Sequence, residues 1–448
     1  MGAAFALTSA TSPSTWIDPR QALTYVPPVD DRAEMLPVLD ACRVRGARAC
    51  EVLLQRFAHL VLTGSRARPT RTDEDRWTLR VWLEGGRAGI AVAATPRGLV
   101  DAAMGAAALA PLSPYAGPAD RLLPLSGSLS IDDRRHGTIE ENDRTELLSM
   151  AERTLTQTGV GLRRLRYMEV RERRSWMSSR DQELSVASTT YSLDAQAGID
   201  GVELKHCIAS RHFSDVASLP FGTELRRRLE GLRTPVALPV EPLPVVLDPR
   251  AAADFLRRLA PAFTATAVRG GNFLASRLGR PLANPVLHMT DDAGLTSGLY
   301  SRNFDDRGVP PIPVTLLKEG VPTSLYHDPE SAREFGLRPT GHVCEAGVRP
   351  SNLIVRPGAR TRNVILAELK DYLMIDEMPF LDLVTGAVAG PVRVGVVRAG
   401  QREGAAHVNL ATTVPDLLTR VVEVASDQER NGEVDSPTLV LSPLSFSA

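Results

Sequence analysis

By residue type, the positions best suited to chemistry are His342, Cys344 and Glu345, three side chains within four positions. Such a set can ligate a transition metal, or pair a thiol nucleophile with a base. It follows Thr340-Gly341, a turn signal, and a strand through it would put His342 and Cys344 on one face. Two ligands do not complete a tetrahedral site, so Cys344 is expected to be a small buried hydrophobe. Asp291-Asp292 and Asp305-Asp306 could supply an acid and a base, or hold calcium. Each pair has a glycine two residues on and neither fits a calcium loop, which predicts turns. Arg163, Arg164, Arg166, Arg171, Arg173, Arg174 and Arg180 are interleaved with Tyr167 and Trp176, as on a nucleic-acid surface. Glu169, Glu172, Asp181 and Glu183 lie among them, so the expected reading is the solvated face of strands. The sequence has no P-loop, no G-x-G-x-x-G after a strand and no G-x-S-x-G elbow.

Positioning such residues requires a core, and 448 residues at 43% hydrophobic and 23% charged supply one. The formal net charge of −1 gives no overall field toward nucleic acid or an anionic membrane. The most apolar run, residues 98–112, is too short to span a bilayer and contains Asp101. No Lys or Arg precedes the short apolar stretch at the N-terminus, which fails the charge pattern of a secretory signal. Cys42, Cys50, Cys207 and Cys344 form no C-x-x-C pair and are expected to be free thiols in a reducing compartment. A cytoplasmic protein is expected.

Residues 1–30, rich in Ser, Thr and Pro, read as an N-terminal arm. A helix is expected over 31–46, a strand over 51–62, a hairpin over 76–94 around Gly85-Gly86, and an alanine-rich helix over 98–109. A helix follows over 142–157 with Asn142 or Asp143 as N-cap, then long antiparallel strands over 163–210 broken near Gly198–Gly201, and a short helix over 225–232. The proline-laced stretch 235–244 divides an N-terminal domain (31–234) from a C-terminal one (245–448). The second opens with a strand at 245–247 and a helix from Arg250 to near Pro261, then many short strands, with helices only at 331–335, 363–372 and 414–424. The fold class is α+β: a mixed α/β N-terminal domain with long antiparallel strands, then a β-rich C-terminal domain.

Ordered stretches of the second half carry a resemblance. They are Pro244-Val245-Val246-Leu247, then Asn303-Phe304-Asp305-Asp306-Arg307-Gly308-Val309-Pro310, residues 316–320, and the helix containing Ser331 and Ala332. Pro339-Thr340-Gly341, the segment from Ser351-Asn352-Leu353 to Pro357-Gly358, and Ser436-Pro437-Thr438-Leu439 follow. Over residues 240–448 the chain resembles the TldD/PmbA family, first described as modulators of DNA gyrase and later as peptidase subunits; over 31–234 the resemblance is looser.

The resemblance implies that TldD-type members carry H-E-x-x-x-H on the helix after the Pro-Val-Val-Leu-like strand. Its histidines would bind zinc together with a C-terminal cysteine, and its glutamate would act as base. Counted from Leu247 without a gap, those positions fall on Arg257, Arg258 and Ala262, and no cysteine follows Cys344. TldE-type members lack the motif in the same way. The chain is therefore expected to hold no zinc and no catalytic residue of its own, and to pair with a TldD-like zinc peptidase subunit that acts on flexible or precursor peptides. Phe304, Asp305, Asp306, Gly308, Thr340, Gly341 and Asn352 become structural motif residues, and Arg307 stands where the family usually has an acid. Two other readings are a self-sufficient hydrolase using His342 with Cys344, and a regulatory protein of the gyrase-modulator type.

Overall fold

The computed structural model describes residues 29–120, 128–156, 159–344 and 347–447, so most of the expected arm lies outside the described residues. The first half comprises α1 (Val29–Val44), β1 (Ala49–Thr63), β2 (Thr70–Leu83), β3 (Arg87–Ala93), α2 (Leu99–Leu109), α3 (Glu141–Thr156), β4 (Gly161–Ser178), β5 (Gln182–Ile199), β6 (Val202–Ser210), α4 (Phe213–Ser218) and α5 (Phe221–Leu232). Its strands form one antiparallel sheet in the order β3-β2-β1-β4-β5-β6.

Strand side chains alternate between faces, and here the two faces have different partners. Val52 and Leu54 of β1, Trp77, Leu79 and Val81 of β2, and Met177 of β4 meet α1 and α2 in one apolar cluster. Farther along the same face, Leu60, Leu62, Leu165, Tyr167, Tyr191 and Leu193 meet α3 and α5. Residues of opposite parity, Glu51, Leu53, Gln55, Arg80 and Trp176, are also buried, because the second half of the chain covers that face. The expectation of a solvated face therefore fails for Arg174, whose guanidinium reaches Asp306 at 3.0 Å, while Arg163 and Arg171 remain exposed.

The second half opens with β7 (Val245–Leu247) and α6 (Pro249–Leu259). Asp248 caps α6 by accepting from Ala251 N at 2.8 Å, and Pro249 fills the first turn where no N–H is needed. Pro261 falls in a 3-10 turn just past the helix, as its missing donor requires. Helix α6 buries Ala251, Ala252, Ala253, Phe255, Leu256 and Leu259 in the main core. That core lies between two sheets. One has β7 near its centre beside Tyr372–Ile375, followed by the long strands Ala387–Arg398 and Gln401–Thr413; the other contains Met289–Asp291, Leu353–Val355 and Val434–Ser436. No described helix is long and apolar enough to cross a membrane.

Several expected boundaries shift. The 163–210 strands turn a second time at Ser179–Asp181, with Asp181 at φ 56°. The helix expected at 225 starts at Phe221. Helix α3 begins at Glu141, and Asp143 sits inside its first turn, accepting from Glu140 N at 2.9 Å. The helix expected over 363–372 ends at Leu369 because Lys370 takes a positive φ of 58°, and Tyr372 begins a strand. The helix expected over 414–424 ends at Thr419, and Val421–Val424 is a strand.

The packing of α2 on β3 depends on one missing side chain. A Cβ on Gly89 would lie 2.2 Å from Ala103 O and 2.4 Å from Ala107 N. Gly105, within α2, has nothing within 4 Å of its Cβ position. Gly89→Ala should lower stability by roughly 1–3 kcal/mol through overpacking, and Gly105→Ala should raise it by roughly 0.5–1 kcal/mol. Urea denaturation midpoints of the two variants check both signs.

Candidate functional site

The turn after Phe304 is a structural hub. Asp305 caps it: one carboxylate oxygen accepts from Arg307 N at 2.8 Å and Val309 N at 3.0 Å, the other from Val343 N at 3.0 Å. Asp306 receives Arg174, and its carbonyl receives Arg80 at 3.0 Å. Phe304 packs on Leu53 and Trp176. Arg307 donates to Glu51 at 3.0 Å, Glu330 at 2.9 Å and the Gly117 carbonyl at 3.0 Å, and lies 5.0 Å over the Trp82 ring. Burial disfavours its charge, but Glu51 and Glu330 outweigh burial and hold the guanidinium ionised. An acid at this position would be repelled by both carboxylates.

His342, Cys344 and Glu345 do not assemble. Glu345 lies outside the described residues. His342 is fully buried, its Nδ1 2.8 Å from Thr340 O and its Nε2 3.3 Å from Asp291. Cys344 instead receives Arg302, and burial raises its thiol pKa, the opposite of an activated nucleophile.

The expectation that Asp291-Asp292 is a turn holds for Asp292, which accepts from Gly294 N at 2.8 Å. Asp291 departs from it: it ends a strand and is fully buried as an acceptor hub. Its carboxylate receives Tyr326 OH at 2.6 Å, Ser351 N at 2.7 Å, Asn352 N at 3.1 Å and the Ser351 hydroxyl. Burial pushes this carboxyl up, but bonds from His342, Ser351 and Tyr326 outweigh burial and hold it below the usual carboxylate range. No local pattern announces this role, since its partners come from three distant segments. Asn352 bonds Asp292 O at 2.8 Å and Ser301 Oγ at 2.9 Å, and Thr340 bonds the His327 backbone. A Cβ on Gly341, which has φ +73°, would lie 2.4 Å from Pro311 Cα.

The positions implied for zinc are occupied by side chains directed elsewhere. Arg257 bonds Glu433 and, at 2.8 Å, Asn431 O; Arg258 bonds Asp254 and the carbonyls of Met378 and Pro379 at 3.0 and 3.2 Å. Ala262 is fully buried. An arginine cannot shed its proton to become a ligand, so these residues do not fit the metal. Among the described residues no three His, Cys, Asp or Glu converge as a metal-holding group.

Arg258 does line a groove of about 700 Å³. Leu204 of β6 stands on one side, the 376–380 loop on another, and Val392, Arg393, His407, Val408 and Asn409 come from the two long strands. No local motif announces this groove, which is assembled from five separated segments.

Residues 241–448 match the family described as PmbA/TldA metallopeptidase C-terminal domain. The chain is 26% identical over 239 residues to a metalloprotease of Methanothermobacter thermautotrophicus, covering 49% of this chain and 52% of that protein. It is 22% identical over 232 residues to Metalloprotease PmbA of Escherichia coli O157:H7, covering 50% of each. The chain thus matches about half the length of these curated relatives. Its fold is similar to that of a proposed modulator of DNA gyrase from Thermotoga maritima, with TM-score 0.81, 18% identity, and coverage of 93% of this chain and 100% of the other. It is likewise similar to TldE from Thermococcus kodakarensis, with TM-score 0.80, 17% identity, and coverage of 93% and 100%.

Two variants test the hubs. Gly308 has φ +70°, and its Cβ would lie 2.7 Å from the Trp176 ring. Gly308→Val should destabilise the protein by roughly 1–3 kcal/mol, read as a lowered thermal midpoint. The lowered Asp291 pKa means a contribution fully present above the unfolded carboxylate value, about 3.9, and lost as pH falls through the folded value. Asp291→Asn should cost about 3 kcal/mol near neutral pH and flatten the acid limb of the stability profile, measured by denaturant titration at several pH values.

Proposed function

The chain belongs to the TldD/PmbA family, and from that premise we propose that it is the TldE-like, non-catalytic subunit of a heteromeric zinc metallopeptidase. The observation that carries this reading is at α6. Where a TldD-like chain is expected to place two imidazoles and a base, this chain has two guanidinium groups committed to Glu433 and Asp254, and a buried alanine. The partner then supplies zinc and the hydrolytic water, while this chain supplies part of the chamber wall. Two features suit that task. The groove beside Arg258 is large enough for several residues of an extended peptide. Strand β6, whose Leu204 lines the groove, is the outer strand of its sheet, and among the described residues no strand pairs with its far side. An extended peptide can add to such an edge through backbone hydrogen bonds, with little dependence on sequence. Flexible peptides, including precursors of modified natural products, are the substrate class that fits.

The burial of His342 and the engagement of His342 and Cys344 with different partners favour this reading over a self-sufficient hydrolase. An obligate pairing would bury on the order of 2,000 Å² or more. Purified separately, this chain and a TldD-like homologue with intact H-E-x-x-x-H are assayed alone and mixed on unstructured peptides. Cleavage should appear only in the mixture and disappear with a chelator. Cleavage by this chain alone, or full activity of the homologue without it, overturns the assignment.

A further inference from the structure

The groove wall carries an arginine that no carboxylate of the described residues pairs with. Arg393 and His407 face each other directly in the register of the two long strands, and both line the groove. An arginine placed opposite an imidazole across strands lacks the favourable pairing that an acid would provide. Among the described residues no carboxylate lies within ion-pair distance of Arg393, whose guanidinium makes only a long 3.4 Å bond to the Glu203 carbonyl.

The acidic residues of the groove are engaged away from Arg393. Asp376 is held by Arg228 at 2.9 and 3.2 Å and by Arg250 at 2.7 Å. Burial opposes its charge, but Arg250, Arg228 and Arg402 outweigh burial and keep it ionised. Asp376 is thus engaged by Arg228 and Arg250 and is not available to pair with Arg393. Glu377 is largely exposed and lies 3.8 Å from Arg258, itself already paired with Asp254. Met378, Pro379, Val392, Val408 and the exposed Phe380 form an apolar shelf beside these charges. A concave site with apolar walls focuses the field of its fixed charges onto whatever enters.

We propose that the groove selects acidic peptides: an extended segment whose carboxylate sits against Arg393 and His407 while neighbouring apolar side chains rest on the 378–380 shelf. This deepens the peptide-binding reading above and rests on it. The carboxylate is that of an Asp or Glu side chain or of a peptide C-terminus, since both present the same planar oxyanion.

The test measures binding directly and needs no zinc partner. Fluorescently labelled octapeptides that differ only at one central residue, Glu or Gln, both amidated at the C-terminus, are titrated into the purified chain by fluorescence anisotropy. A third peptide carries Gln and a free C-terminus. The Glu peptide should bind about tenfold more tightly than its amidated Gln counterpart, the scale of a charge-assisted hydrogen bond. The advantage should shrink with added salt and vanish in an Arg393→Gln, His407→Gln double variant. In Arg393→Glu the preference should reverse toward a Lys peptide, a gain that misfolding could not produce. An advantage carried by the free C-terminus instead supports the proposal and identifies the terminal carboxylate as occupant. Equal affinity of all three peptides, an unchanged preference in the double variant, or tighter binding of a single-stranded oligonucleotide overturns it. If no peptide binds, the proposal also falls, and the cleavage assay on the mixed subunits shows separately whether the partner-subunit reading falls with it.

Discussion

Arg307 is the charge around which the two halves of the chain are joined. Its guanidinium is buried among Glu51 of β1, Glu330 at the start of a short helix, the Gly117 carbonyl and the face of Trp82. Removing one partner from such a set strands the others without water, at about 3–5 kcal/mol. The turn that carries it is fixed independently by Asp305, whose carboxylate accepts three backbone N–H groups, and by Gly308, which allows the chain to pass against Trp176. An arginine in a position where relatives are expected to have an acid therefore does not mark a lost function. It is matched by two carboxylates from other segments.

This junction makes the N-terminal sheet an internal wall. One face is closed by helices and the other by the second half. Strand β6 meets the long strands of the C-terminal sheet, with Arg211, just beyond it, stapling the halves through the carbonyls of Gly298 and Ser301 at 3.3 and 3.2 Å. The groove depends on that joint, since Leu204 belongs to the first half and its remaining lining residues to the second. Helix α6 contributes to the same groove through Arg258, so the position expected to hold a base in a zinc-bearing relative here presents a cation beside the site.

The sequence made the elements legible where one face is apolar and periodic. Alternation in β1 and β4 and Pro261 after the helix predicted what the structure shows, while the Asp248-Pro249 cap, which starts that helix just before the expected Arg250, was not read. Alternation does not reveal what covers the second face, so the burial of Glu51, Arg80 and Arg174 was hidden. Lys370 ends its helix through a positive φ that a lysine does not advertise. Helix α6, which carries the positions that the resemblance implies for zinc, was readable after Leu247. Asp291 and the groove were not, because each is assembled from segments far apart in the chain.

The central claim is that this chain is the metal-free member of a mixed assembly. Native mass spectrometry of an equimolar mixture with a TldD-like, zinc-bearing homologue tests it directly, since it reads subunit composition and metal content in one spectrum. The account predicts a complex containing both chains with one zinc for each TldD-like subunit and none for this one. Zinc retained stoichiometrically by this chain, or two proteins that remain in separate species at micromolar concentration, would contradict it.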